Sequence, residues 1–230
     1  MERLVQGVSK FQREVFPRQR ELFEQLAAKQ NPQALFITCA DSRVVPDLIT
    51  QADPGDLFIC RNAGNMVPAY GETNGGVSAT IEYAVVALNI RHIIVCGHSD
   101  CGAMKGVLHP EAVEQMPTVR SWLAYGEMAR RIVNEAYPQL SEESKLNALV
   151  AENVVAQLDH LKTHPSVASR LAAGRISIHG WVYNIRTGQV EAWDAENSRF
   201  VPIEQYDIHS GTPRPRIARQ TEAVMQEVAG

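Results

Sequence analysis

Cysteine is scarce in this sequence. Four thiols in 230 residues, Cys39, Cys60, Cys96 and Cys101, are too few for a disulfide scaffold in a chain of this size, which leaves metal binding, catalysis or plain packing as their uses. Long apolar runs are missing too. None approaches the ~18 uncharged residues of a membrane span, and the opening MERLVQGVSKFQREVF has no leader-like apolar stretch. A cytoplasmic protein with no membrane partner is the expectation. Nor is there an excess of charge of one sign. Lys and Arg number 22 against 26 Asp and Glu, the formal charge is −4, and the basic residues are scattered, so no nucleic-acid partner is expected.

What is present is 45% apolar composition, enough for a substantial core in a single domain. The first 30 residues read as a helical arm, with Leu4, Val8, Phe11 and Val15 on one face and Leu22, Phe23 and Leu26 beyond a break near Pro17. ALFIT (34–38), DLFIC (56–60), HIIVC (92–96) and RISIH (175–179) read as four short strands buried on both faces. Helical spacing separates them, in VVPDLITQ, in GVSATIEYAVVALN, around 118–136 and 142–162, and over 166–173 before Gly174. WVYNIRTGQVEAW reads as a hairpin turning at Thr187 and Gly188. Strands alternating with helices predict one α/β domain over 1–203: a mostly parallel sheet of four strands, an antiparallel edge strand, flanking helices, and the 1–30 arm packing on a partner subunit. The 204–230 tail, with few apolar residues and the run TPRPR, is expected to be partly disordered or packed on a partner chain.

The turn GHSDCG (97–102) follows the third strand and admits three uses. Ser99 resembles the nucleophile of a G-x-S-x-G elbow, but Cys101 stands where the closing glycine belongs, and nothing local recommends His160, His164, His179 or His209 as its base. Packing is the simplest use for a lone histidine or cysteine. A metal half-site is the third, and it depends on more donors elsewhere. CADSR (39–43) ends a different strand. In a parallel sheet with those strands adjacent, Cys39, His98 and Cys101 emerge at one edge, where two thiolates and an imidazole suit zinc and leave the fourth tetrahedral position open. An open position marks a catalytic site.

CADSR followed by GHSDCG resembles the zinc signature of the β-class carbonic anhydrases, and FICRNAGNMVP, GGVSATIEYAVVALNI and HGWVYNIRTGQV resemble the same family, especially its bacterial and plant-type members. The resemblance runs from about residue 10 to 203. It implies zinc-dependent reversible hydration of carbon dioxide to bicarbonate and a proton, with one Zn²⁺ per subunit lowering the pKa of a coordinated water. Asp41 then either accepts a hydrogen bond at the fourth position or fills it, and a bidentate contact from Arg43 decides which. The substrate pocket implied is Gln30, Phe58, Ala63, Tyr83 and the backbone N–H of Gly102. Residues matching Gln30, Phe58 and Tyr83 reach the zinc across a dimer interface in that family, so a homodimer or a multiple of it is expected. Family members with a noncatalytic bicarbonate site carry tryptophan three residues before the first zinc cysteine. This sequence has Phe36 there, although Arg61 is present, and an open site at neutral pH is expected. Cys60 and Cys96 read as inert core thiols. The same scaffold acting on CS2 or COS, and a noncatalytic zinc-binding protein, are the competing functions.

Overall fold

Residues 1–72 and 75–208 are described by a computed structural model. Helix α1 (Glu2–Lys10) leads through a π turn at Phe11–Val15 and a 3₁₀ turn at Phe16–Gln19 into α2 (Arg20–Ala28). Pro17 places the break, because it has no N–H for the helical ladder. The order then runs β1 (Ala34–Cys39), α3 (Pro46–Thr50), β2 (Leu57–Asn62), α4 (Gly76–Val86), β3 (His92–His98), α5 (Gly102–Leu108), α6 (Pro117–Leu123), α7 (Glu127–Ala136), α8 (Glu142–Thr163), α9 (Pro165–Ala172), β4 (Ser177–Tyr183), β5 (Val190–Asp194) and β6 (Arg199–Pro202).

The strands form one sheet in the order β2-β1-β3-β4-β5-β6. The pairs β1/β2, β1/β3 and β3/β4 are parallel, and β4/β5 and β5/β6 are antiparallel. The α/β architecture with four parallel strands is as expected, with one strand more. The antiparallel edge has two members because Arg199–Pro202 pairs with β5. Two boundaries also move. β4 starts at Ser177 and absorbs the WVY arm of the expected hairpin, and the helix expected around 118–136 divides at a 3₁₀ turn, Ala124–Gly126. Gly126 is wedged there: a Cβ on it would stand 3.0 Å from Val107 Cγ2 and 3.1 Å from Met66 Cε.

Both faces of the parallel strands are covered, as their unbroken apolar runs require. Leu35, Ile37, Ile93 and Val95 face α8, α4 and α9, whereas Phe36, Ile94 and Cys96 pack on the other face with Trp181. Helix α8 lies close over β3 and β4. A Cβ at Gly97 would sit 2.9 Å from Val154 Cγ2, so glycine is needed for the helix to approach.

The connection from β1 leads to one side of the sheet and that from β3 to the other. The carboxyl ends of β1 and β3 therefore flank a topological switch point, where parallel sheets place their sites. On the arm, Leu4, Val5 and Val8 are 65%, 59% and 58% exposed, and α1 buries no residue within its own chain. The first residues of the expected tail belong to the fold, since the Tyr206 hydroxyl lies 2.8 Å from His179 Nδ1. Residues 209–230 lie outside the described residues. Among the described residues no helix is long and apolar enough to cross a membrane.

Candidate metal centre

Cys39 ends β1, His98 ends β3, and Cys101 precedes α5. The parallel register pairing Thr38 with Cys96 carries the two strand ends to the same edge. All three side chains are buried, and their donor atoms lie within 4.8 Å of one another. The two sulfurs are 3.9 Å apart. Two thiolates sharing a tetrahedral ion at ~2.3 Å bonds stand about 3.8 Å apart, so the spacing fits zinc.

The histidine is oriented for the same purpose. His98 Nδ1 lies 2.9 Å from the Ser99 carbonyl, which can only accept, so Nδ1 carries the proton and Nε2 presents a lone pair. That Nε2 is buried and has no hydrogen-bond partner among the described residues, an arrangement a bound cation relieves. Between the thiols, the contact with Cys101 draws the Cys39 thiol well below its ordinary range, with help from the Gly64 N–H. The same contact, with burial behind it, pushes Cys101 up.

Asp41 and Arg43 stand beside these donors. Arg43 donates from Nε to Asp41 Oδ1 at 3.0 Å and from Nη2 to Oδ2 at 2.8 Å, and its backbone N–H reaches Oδ1 at 2.9 Å. The Arg43 guanidinium holds the Asp41 carboxyl well below the usual carboxylate range. Oδ2 is 3.9 Å from His98 Nε2. Arg43 is itself steered by Asp100, through Nη1 to Oδ2 at 2.9 Å and Nη2 to the Asp100 carbonyl at 3.1 Å. Lys105 and then Arg43 pull the Asp100 carboxyl down to about 2.

The loop carrying Asp41 is clamped from β2. Arg61 donates to the carbonyls of Cys39 (3.1 Å), Asp41 (2.6 Å) and Val44 (2.8 Å). Nothing in the local pattern of the sequence signals that role, because the three acceptors are main-chain groups of another element. Asn62 brackets the next loop, accepting from Met66 N at 2.7 Å and donating to Met66 O at 2.9 Å. Inside that loop the Gly64 N–H lies 3.4 Å from Cys39 Sγ.

Two expected pocket residues lie here. Ala63 opens the turn after β2, and Gly102 begins α5 with open space where a Cβ would point. Gln30, Phe58 and Tyr83 do not join them within one chain. Phe58 pairs with Leu35 while Asn62 pairs with Cys39, a separation of about 13 Å along the strand. Tyr83 is 51% exposed with its ring 5.9 Å from that of Phe58, and Gln30 is exposed ahead of the amino end of β1. Ser99 has a structural partner, its Oγ accepting the Ile185 N–H at 3.0 Å. His160, His164 and His179 are committed to Val67, Pro68 and the His92/Tyr206 pair, and His209 lies outside the described residues. Burial pushes the Cys60 thiol up and that of Cys96 to about 12, as core thiols.

The family model described as carbonic anhydrase matches residues 34–190, which take in both metal loops. The chain belongs to the carbonic anhydrase family. A carbonic anhydrase of Pseudomonas aeruginosa is 50% identical over 206 residues, covering 90% of this chain and 93% of its own. The solved β-carbonic anhydrase CcaA is also 50% identical, with a TM-score of 0.86 over 88% of this chain and 91% of that one. One of two tetrameric β-carbonic anhydrases from the ascomycete Sordaria macrospora is 27% identical, with a TM-score of 0.73 over 83% of this chain and 95% of that one. The carbonic anhydrase fold is therefore the β-class one.

Proposed function

We propose that this carbonic anhydrase hydrates carbon dioxide reversibly to bicarbonate and a proton at a zinc ion held by Cys39, His98 and Cys101. The observation that carries the reading is the convergence of three buried donors within 4.8 Å around a histidine nitrogen with no hydrogen-bond partner among the described residues. Zinc in such a site supplies a Lewis acid that brings the pKa of water toward neutrality.

The chain's own residues do the rest. Asp41 stays ionised and held back by the guanidinium fork of Arg43, where it would accept a hydrogen bond from the reacting water without joining the three donors. The Ser99 carbonyl keeps the His98 tautomer that ligates. Carbon dioxide has little polarity and needs an apolar recess with one or two donors. Ala63 and the Gly102 N–H supply one side. Gln30, Phe58 and Tyr83 supply the other from a second copy of the chain, a reading supported by the separation of Phe58, with the Tyr83 ring beside it, from the metal donors within one chain and by the exposed apolar face of α1. The working unit is then a homodimer or a multiple of it. A cytoplasmic setting fits four cysteines that are all free thiols.

Metal analysis alongside stopped-flow hydration rates, before and after chelation, tests the proposal. One zinc per chain, activity lost on chelation and regained with zinc is the expected result. Zinc present without hydration at any pH refutes it in favour of a noncatalytic zinc protein, and sulfide release from CS2 at a higher rate than CO2 hydration refutes the substrate.

A further inference from the structure

A hydrogen-bond chain runs from α6 to the sulfur of Cys39. Trp122, half-buried on α6, donates its indole N–H to the Ala63 carbonyl at 2.8 Å. The Ala63 carbonyl and the Gly64 N–H belong to one planar peptide group and point in opposite directions. That N–H is the one lying 3.4 Å from Cys39 Sγ. On the far side of the Gly64 Cα, the Gly64 carbonyl accepts from Asn153 Nδ2 at 3.2 Å. Asn153 is 1% exposed. Its Oδ1 is fixed by Gln157 Nε2 at 2.9 Å, and Gln157 Oε1 receives the Val67 N–H at 2.7 Å. Both peptide groups flanking Gly64 are therefore held from outside the loop. Gly64 itself has φ +79°, and a Cβ there would stand 3.0 Å from Ala103 Cβ and Met104 Cε, which leaves the loop little room to settle elsewhere.

We propose that Trp122 is a positioning residue for the metal centre. By holding the Ala63 carbonyl it orients and polarises the peptide whose N–H bonds the Cys39 thiolate, while Asn153 locks the neighbouring peptide. The inference rests on the reading of Cys39 as a zinc ligand. Hydrogen bonds in a chain strengthen one another, by roughly 10–30% per bond, and a thiolate fixed by a preset N–H loses less freedom on taking up a metal. Partners one shell out from a metal typically change its affinity by about 10–100-fold. A single indole N–H is enough to test this.

Trp122→Phe removes that N–H and keeps an aromatic ring in place. Three readouts are expected to move: zinc release to a chromogenic chelator becomes about tenfold faster, the thiolate-to-cobalt charge-transfer band of the cobalt-substituted protein shifts to longer wavelength, and the Gly64 amide exchanges its hydrogen faster. Tyr125→Phe alters the same aromatic pair, whose ring centroids are 5.4 Å apart, but not the Ala63 carbonyl, and is expected to match wild type in all three. Trp122→Phe with release, band and exchange unchanged overturns the proposal. So does an unprotected Gly64 amide in the wild-type protein, a measurement that needs no variant. If the wild-type protein takes up neither zinc nor cobalt, the ligand reading falls and this inference with it. Stoichiometric uptake with an unresponsive Trp122→Phe sinks the inference alone.

Discussion

Replacing Arg43 with alanine tests whether its fork on Asp41 is what keeps the proposed site open. Two ligands of one tetrahedral zinc, at N and O bonds of ~2.1 Å, stand about 3.4 Å apart. Asp41 Oδ2 is 3.9 Å from His98 Nε2. Measured from that one donor, the carboxylate stands about half an ångström beyond ligand spacing, and joining the three donors requires a shift. What opposes that shift is the fork of Arg43, with bonds of 3.0 and 2.8 Å to the two carboxylate oxygens. Without it Asp41 is ionised, adjacent and held only by the backbone N–H of residue 43, and it is expected to close the fourth position. Arg43→Ala is expected to keep one zinc per chain, because none of the three donors is touched, and to lose about a hundredfold or more in kcat/KM, the upper end of effects one shell out from a metal. Arg43→Lys, a point charge without the fork, should fall between the two. Stopped-flow hydration with a pH indicator gives the rates, and X-ray absorption gives the fourth ligand, which should change from solvent to carboxylate. Full activity in Arg43→Ala, with zinc retained, would show that Asp41 is not held back by Arg43.

Three other outcomes follow from the geometry. Cys39→Ala and Phe58→Ala/Tyr83→Ala chains, each inactive alone, should regain activity when refolded together, because a mixed dimer contains one intact site; additive inactivity would place the whole site in one chain. Gly97→Ala forces a Cβ to 2.9 Å from Val154 Cγ2 and 3.1 Å from Val150 Cγ1 and should lower stability by about 1–3 kcal/mol in urea unfolding, an unchanged midpoint counting against the close helix–sheet approach. His179, 5% exposed, has its pKa lowered to about 4 by burial and then by the charge of His92. Its unfolded pKa is ~6.5, so unfolding takes up a proton between those values. The stability it contributes is complete above about pH 6.5 and is lost as pH falls toward 4, a few kcal/mol at most. His179→Gln should flatten the slope in that window, and an unaltered slope would exclude His179 as its source.

Pattern made the sheet legible. Buried parallel strands are apolar on both faces, so ALFIT and HIIVC announced themselves, and α8 showed its buried face through Leu149, Val150, Val154, Leu158 and Leu161. The edge was harder to read. Arg199–Pro202 is four residues with one buried side chain, Val201, and a strand that short with an exposed flank carries almost no periodic signal. The break between α6 and α7 was equally hidden, because it depends on how closely Gly126 meets Val107 and Met66, residues of other elements.

The candidate donors were legible in the sequence alone: two thiols and an imidazole in CADSR and GHSDCG, with a carboxylate and a guanidinium two residues apart, are chemical facts independent of the fold. How those groups are held was decided only by the tertiary structure. Arg61 spends its donors on loop carbonyls, Trp122 and Asn153 grip the peptides around Gly64, and Phe58 with Tyr83 sits about four strand residues away from the candidate donors of its own chain. The reason is physical. A ligand's chemistry belongs to its side chain, whereas its orientation comes from backbone groups and partners distant along the chain, which become neighbours only when the sheet and α8 have closed around them.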